Sequence, residues 1–226
     1  MPLKTLLLLL FLLLLLTPFS SKAQEPDNAM SWIASGTAKA NYSIDNLGLS
    51  ITAEGTYQEI NFYQARSPYT DLFIGWHLIT QDYSGSGRDK NGILHAFEYS
   101  NQSALFSLGY DWYLAEFAHL QPFIAYGAGI NKTSATDYGG YDTIAPFTDN
   151  TKTSDITMYG VNLIFELTGK IWLGYGINYF ADSQPIEFDV GDASIETQSS
   201  QALLLVWNWE RVPIETIDPN ASFFGF

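Results

Sequence analysis

Segments in which bulky apolar side chains alternate with small or polar ones constrain this fold more than any other feature of the sequence. In the segment 124–131, Ile124, Tyr126 and Ile130 stand opposite Ala125, Gly127, Gly129 and Asn131. A period of two indicates a β-strand, because successive strand side chains point to opposite faces. Glycine is a poor strand former, and a solvent-facing surface made of it would be unusual. The pattern therefore predicts a narrow barrel whose glycine-rich face lies inside and whose apolar face contacts lipid. The alternative is a soluble barrel, which would bury the apolar face.

Eight such segments follow one another along the chain. They cover 32–41, 47–57, 71–81, 104–114, 119–131, 156–167, 170–180 and 200–211. Their lengths are close to those that a tilted strand needs to cross a bilayer. An even number of strands lets an antiparallel sheet close with both ends on one side of the membrane. The sequence therefore predicts an all-β fold, an eight-stranded antiparallel up-and-down transmembrane β-barrel.

Short and long connections alternate between these segments. The turns near 116 and 168 are short, whereas 82–103, 132–155 and 182–199 are long and rich in Gly, Ser, Thr, Asn and Asp. This alternation is typical of bacterial outer-membrane barrels, with short turns in the periplasm and long loops outside. Two connections do not fit it, because 58–70 is too long and 42–46 too short. Residues 93–99 also have the pattern of a strand, which would extend the wall above the membrane.

The two ends of the chain predict export and a tail. One early cation, an unbroken run of Leu and Phe over 6–16, and small residues before Gln24 indicate a secretory signal peptide over 1–23. As a membrane anchor, this run would reach only about half of the hydrocarbon core. The barrel is predicted over 24–212. Pro213 and Pro219 disfavour a central strand in 213–226, which we interpret as a periplasmic tail. Alternatively, 223–226 imitates the terminal signal that the barrel-assembly machinery reads.

Composition excludes several classes of function. The chain has no cysteine, so an exported domain of this sequence has no disulfide framework. A net charge of −14 argues against nucleic acid and anionic lipid surfaces as partners. We expect a monomer in outer-membrane lipid, with periplasmic termini. We also expect no cofactor or metal. The acidic loop 182–199 is interpreted as a solvated surface rather than a Ca²⁺ site, because its spacing matches no calcium loop.

The hairpin formed by SLGYDWYL at 107–114 and LQPFIAYGAGI at 120–130 resembles a known group of proteins. It is similar to the central hairpin of the small outer-membrane β-barrel family, a porin-like group that includes the OmpA transmembrane domain and OmpW. The resemblance covers 32–211 and implies an eight-stranded barrel in the outer membrane. It implies no single activity, because this fold hosts adhesins, small channels and lipid-modifying enzymes.

Strand parity then sorts the candidate site residues. A polar network in the lumen is predicted from Lys39, Glu54, Asp71, His77, Asp111, Glu166, Lys170 and Glu210, and an aromatic girdle at the interfaces from Trp112, Tyr179, Trp207 and Trp209. The lumen charges fit a network that plugs a structural or surface-interaction barrel. A ring of carboxylates in a narrow channel for cations or small solutes is the alternative.

An enzyme is the third possibility. The lipid A deacylases that share this fold place a histidine and a serine two residues apart. Here the residues two positions after the three histidines are Ile79, Phe97 and Gln121, so the sequence predicts no catalytic residue.

Overall fold

The computed structural model describes residues 28–44, 48–66, 71–115, 117–139, 143–144, 148–168, 170–182, 186–188 and 191–210. The predicted signal peptide at 1–23 and the predicted tail at 213–226 lie outside these residues. Among the residues that the structure describes, no helix is long and apolar enough to cross a membrane.

Eight long strands form a closed antiparallel barrel, which confirms the predicted fold class. The wall strands are β1 (Asn28–Ile44), β2 (Leu49–Arg66), β3 (Leu72–Arg88), β4 (Leu94–Tyr110), β6 (Ala118–Gly139), β8 (Thr148–Glu166), β9 (Ile171–Asp182) and β11 (Gly191–Glu210). Each strand pairs with the next along the chain, and β1 closes the barrel by pairing with β11. Three short strands complete the sheet: β5 (Trp112–Ala115), β7 (Thr143–Ile144) and β10 (Ile186–Phe188).

The two faces of the wall divide as the alternation predicts. On β3, Ile74, Trp76 and Leu78 are exposed on the outside, whereas the alternate residues His77 and Ile79 are buried in the lumen. The exposed large hydrophobic side chains of the other strands continue this surface, which we call the apolar belt. An apolar belt around a closed barrel is the surface that a bilayer covers.

Glycines on the inner face make room for a bulky side chain. A Cβ atom on Gly109 would lie 2.3 Å from the Phe73 ring and 2.7 Å from Cβ of Phe123. One on Gly160 would lie 2.2 Å from the Phe123 ring. Phe123 therefore fills the space that these two glycines leave, and the inner wall is closely packed.

The strands are longer than the sequence pattern predicted. Most of 82–103 belongs to β3 and β4, which are joined at 89–93, and β6 and β8 extend far into 132–155. The same holds for 182–199, much of which is β11. The predicted strand over 93–99 is confirmed as part of β4. The connection 58–70 shortens to 67–70 because β2 continues to Arg66. Apart from 58–66, which carries the exposed Ile60 and Phe62, these segments lack an apolar outer face because they rise above the apolar belt.

The tip of the β3–β4 hairpin is held by Asp89. Its Oδ1 accepts hydrogen bonds from the backbone N–H groups of Asn91 at 2.8 Å and Ile93 at 2.9 Å. Gly92 adopts the positive φ of 82° that the turn requires. Burial alone would raise the pKa of Asp89, but these backbone hydrogen bonds and His95 outweigh it and hold the pKa below its ordinary value. The hairpin tip is thus a built turn.

Candidate functional site

Glu59 lies at the centre of a buried polar cluster in the lumen. Its carboxylate accepts hydrogen bonds from Trp32 Nε1 at 2.9 Å, from the Tyr57 hydroxyl at 2.5 Å and from His77 Nδ1 at 2.6 Å. The Glu59 side chain is only 4 % exposed. A buried carboxylate is tolerated when several donors satisfy its oxygens, and here three side chains do so. We call Trp32, Tyr57, Glu59, His77 and Ser107 the Glu59 cluster.

His77 links Glu59 to Ser107. Its Nε2 lies 2.7 Å from Ser107 Oγ, while Nδ1 faces the carboxylate. With the proton on Nδ1 donated to Glu59, Nε2 is free to accept the proton of the serine hydroxyl. The ring stacks on Phe123 with centroids 5.5 Å apart and meets Trp32 edge-on at 5.7 Å. These contacts fix the imidazole from both sides.

Strands β1 to β4 supply all five members. The register places Trp32 two positions from the pair Ala34–Glu59, and His77 pairs with Asn61 on β2 and with Leu105 on β4. Since inward positions recur every second residue, neighbouring strands bring these side chains to one level. Gly75 leaves the space they need: a Cβ there would lie 2.8 Å from Ser107 Oγ.

The order Glu–His–Ser matches that of serine hydrolases, in which the histidine takes the proton of the nucleophile. Catalysis also needs a carbonyl within reach of the serine and donors for the developing oxyanion. Ser107 is 0 % exposed and His77 2 %, with Phe123, Asn61 and Gly75 packed against them. We therefore interpret the cluster as a brace between strands rather than as a catalytic triad.

An active-site probe tests this interpretation. We expect a fluorophosphonate reagent to leave Ser107 unlabelled in the folded barrel, because the side chain of Ser107 is fully buried. The measurement is mass spectrometry of the tryptic peptide, with the Ser107→Ala variant as the blank. Stoichiometric labelling that disappears in His77→Ala would instead identify a working nucleophile.

Further hydrogen bonds cross the lumen between strands that are not neighbours. The amide of Asn178 on β9 donates to the Tyr57 hydroxyl on β2 at 3.1 Å. Gln198 on β11 donates to Gln81 on β3 at 3.0 Å, and Gln64 on β2 donates to Gln121 on β6 at 3.2 Å. Opposite walls are therefore joined directly by side chains at three levels.

Smaller polar groups lie above and below the Glu59 cluster. Above it, Asn131 accepts from Tyr99 at 2.9 Å and donates to Ser154 at 2.5 Å. At the end of the barrel that carries the β5–β6 turn, His119 Nδ1 lies 3.1 Å from Asp111 Oδ1, and the imidazole packs on Trp172 with centroids 4.8 Å apart. Among the described residues, no group of three or more metal-ligating side chains is present.

The structure corrects part of the predicted lumen network. Lys39 and Glu54 lie on the outer face, where they form a 3.4 Å ion pair with side chains 56 % and 75 % exposed. Their neighbours in sequence, Ala38, Ala40 and Ala53, are the residues that point inward, because successive side chains of a strand point to opposite faces of the wall. Lys170 is exposed in the turn before β9 and does not reach the lumen.

The other predicted lumen residues lie in different places. His77 and Asp111 are buried inside the barrel, although far apart in separate groups. Asp71 and Glu166 are half-buried at strand ends, and Asp71 accepts a hydrogen bond from the Tyr110 hydroxyl at 3.1 Å. The side chain of Glu210 is not among those described.

Of the predicted girdle, three residues are exposed on the outer surface. Tyr179 is 51 % exposed, Trp207 37 % and Trp209 57 %. Trp112 is half-buried and meets the Tyr110 ring edge-on. The two tryptophans lie near the C-terminal end of β11, whereas Tyr179 lies near the C-terminal end of the antiparallel β9, at the opposite end of the barrel.

Sequence reasoning missed Glu59, Tyr57, Trp32 and Ser107 as members of one site. The signal for Glu59 was available, since Glu59-Ile60-Asn61-Phe62 alternates polar and apolar residues as a strand does. The polar composition of 58–70 hid it. Contacts between strands that are distant in sequence cannot be read from the alternation within one strand.

Comparison with known proteins gives similarity to barrels of the outer-membrane type. No protein-family model and no curated protein matches the chain. Among solved structures, Ail of Yersinia pestis matches at 14 % identity and a TM-score of 0.40, over 80 % of this chain and 99 % of that one. Neisserial surface protein A matches at 16 % and 0.43, over 80 % and 97 %. OprG of Pseudomonas aeruginosa matches at 10 % and 0.44, over 83 % and 98 %.

Proposed function

We propose that this protein is a closed barrel of the bacterial outer membrane, whose lumen conducts no solute and whose extended outer wall acts by surface interaction. The observation that carries the proposal is the set of hydrogen bonds across the lumen, Asn178–Tyr57, Gln198–Gln81 and Gln64–Gln121. A path for ions would have to break them at every level. The predicted signal peptide and the apolar belt support insertion of the wall in the outer membrane.

The arrangement of charge favours a closed lumen over a cation channel. A selective pore needs carboxylates that face a water-filled path. The buried carboxylates Glu59 and Asp111 are instead engaged by Trp32, Tyr57 and two histidines. Glu54, which was expected to belong to the ring of carboxylates, lies on the outer face of the wall.

The part of the wall above the apolar belt supports a role in surface interaction. On β3 the outward positions change from Ile74, Trp76 and Leu78 to Asp82, Ser84 and Arg88 as the strand leaves the belt. The Asp89 turn then joins β3 to β4 without a long loop. Because these polar side chains stand on paired strands, their positions are fixed, and a ligand outside the cell could bind to them.

Planar-bilayer recording tests the closed lumen. We expect no stepwise conductance from the native protein. We expect brief openings from the triple variant Gln64→Ala, Asn178→Ala, Gln198→Ala, because it removes the Gln64–Gln121, Asn178–Tyr57 and Gln198–Gln81 hydrogen bonds.

The matched control is Thr52→Ala, Gln102→Ala, Thr153→Ala, which alters three exposed outer positions and should behave like the native chain. Unboiled gel mobility verifies that each variant is folded. Steady conductance from the native barrel would contradict the proposal.

A further inference from the structure

The outer face of β1 differs from the rest of the wall. Its outward positions from Ser31 to Ser43 include only one large apolar side chain, Ile33. Two strands away from β1, β9 presents five: Ile171, Leu173, Tyr175, Ile177 and Tyr179. The apolar belt is therefore interrupted at β1 and at the adjoining half of β2.

The interruption lies at the depth of the belt. Ser35 pairs with Leu203 on one side and with Gln58 on the other. Leu203 is 71 % exposed and its own neighbour on β9 is Tyr175, so the row beside Ser35 faces lipid. Two positions nearer the periplasm, Ile33 pairs with Ile60, and both are exposed. On the side of β3 the same row continues through Gln58 to Thr80, so Ser35 and Gln58 lie where polar side chains border the lipid-facing row.

Polar side chains at this depth are costly without a partner. Ser35, Thr37 and Gln58 are exposed, and among the described residues no side chain hydrogen-bonds to them. Moving an amide or hydroxyl into hydrocarbon without a hydrogen bond costs free energy. In membranes such groups form hydrogen bonds with another protein surface. A partner that offers polar groups of its own would satisfy them.

We propose that this surface, which we call the β1–β2 face and define by Ser35, Thr37, Lys39, Glu54 and Gln58, binds a second copy of the chain. Small side chains at Ser35 and Thr37 allow two walls to approach closely. A glutamine amide both donates and accepts, so Gln58 can bond to the hydroxyl of Ser35 in another molecule.

The charges at the top of the face fit this symmetry. A two-fold axis along the membrane normal sets β1 of one subunit opposite β2 of the other. Lys39 then faces the partner's Glu54, and Ser35 faces the partner's Gln58. Because Lys39 and Glu54 already lie 3.4 Å apart within one chain, the dimer groups two cations and two anions alternately. This proposal departs from the monomer that was expected from the sequence.

The inference rests on the proposed insertion in the membrane but not on a closed lumen. The two ideas fail separately, since conductance reports the lumen whereas association in vesicles reports the β1–β2 face. Insertion itself is verified in each sample by unboiled gel mobility.

Cysteine cross-linking in lipid vesicles tests the geometry. The chain has no native cysteine, so single-cysteine proteins are clean probes. A mixture of Ser35→Cys and Gln58→Cys proteins should form a mixed disulfide dimer far more readily than either protein alone. Tyr126→Cys, which lies on β6 across the barrel from β1, is the control and should stay monomeric. Equal cross-linking of all mixtures would overturn the proposal.

Charge reversal tests the ion pairs. Measured by energy transfer between labelled chains in vesicles, Lys39→Glu should weaken the dimer about tenfold, because like charges then face each other. The double variant Lys39→Glu, Glu54→Lys should restore association to near the native level. A native protein that stays monomeric at every lipid-to-protein ratio, or a double variant that remains weak, would overturn the proposal.

Discussion

Glu59→Leu is expected to destabilise the barrel by about 3–5 kcal/mol, which is typical when one partner of a buried ionic group is removed. The change leaves Trp32 Nε1, the Tyr57 hydroxyl and His77 without their common acceptor. Burial of the leucine side chain compensates little of this loss, because the three unsatisfied polar groups remain buried around it. The measurement is urea unfolding in lipid, followed by tryptophan fluorescence and unboiled gel mobility.

The control for this prediction is Glu54→Gln, which removes the carboxylate of an exposed ion pair. Such a pair contributes at most about 1 kcal/mol, so this variant should unfold close to the native midpoint. If Glu59→Leu does not fold, Tyr57→Phe provides a milder test, with an expected loss of about 1 kcal/mol for one hydrogen bond. Equal midpoints for Glu59→Leu and Glu54→Gln would show that the cluster does not brace the barrel.

Gly55→Ala is expected to cost about 3 kcal/mol or more, at the upper end of overpacking effects. A Cβ atom at this position would lie 1.6 Å from the backbone oxygen of Asp82 and 2.8 Å from Cα of Tyr83. Both atoms belong to the backbone of β3, so no side-chain rotation relieves the clash. The paired strands must separate locally, and the loss is read from the same urea unfolding.

Gly174→Ala is the matched glycine. Its nearest neighbour would be the backbone oxygen of Leu163 at 3.0 Å, followed by side-chain atoms at 3.2 Å and 3.4 Å. We expect a smaller loss, about 1 kcal/mol, because a small shift accommodates the methyl group. If the two variants unfold alike, the close approach of β2 and β3 is not what requires glycine at 55.

The sequence was sufficient to predict the barrel and its strand number. Alternation over 104–114 and 119–131 separates Leu108 from Gly109 and Tyr126 from Gly127, and the same faces are exposed and buried in the fold. This works because lipid on one side and a narrow lumen on the other impose opposite demands on successive residues.

The candidate site was harder to predict because its members meet through register. Lys39 was expected inside since charge avoids lipid, but its strand rises to a level where the outside is polar, and the alanines on either side of it point inward. Conversely, Glu59 was hidden in a segment that looked like a loop. Which strand level a residue occupies depends on the stagger between neighbouring strands, and a single sequence does not contain that quantity.

The alternation described for β3 also separates two kinds of change in the same stretch of chain. Outward positions such as Asp82, Ser84 and Arg88 can vary without touching the inward neighbours Gln81 and Tyr83 that support the lumen. A population under pressure from antibodies or phage could therefore diversify every second residue of the upper wall while retaining its foldability. Engineers could use the same positions to graft a new binding surface onto this barrel.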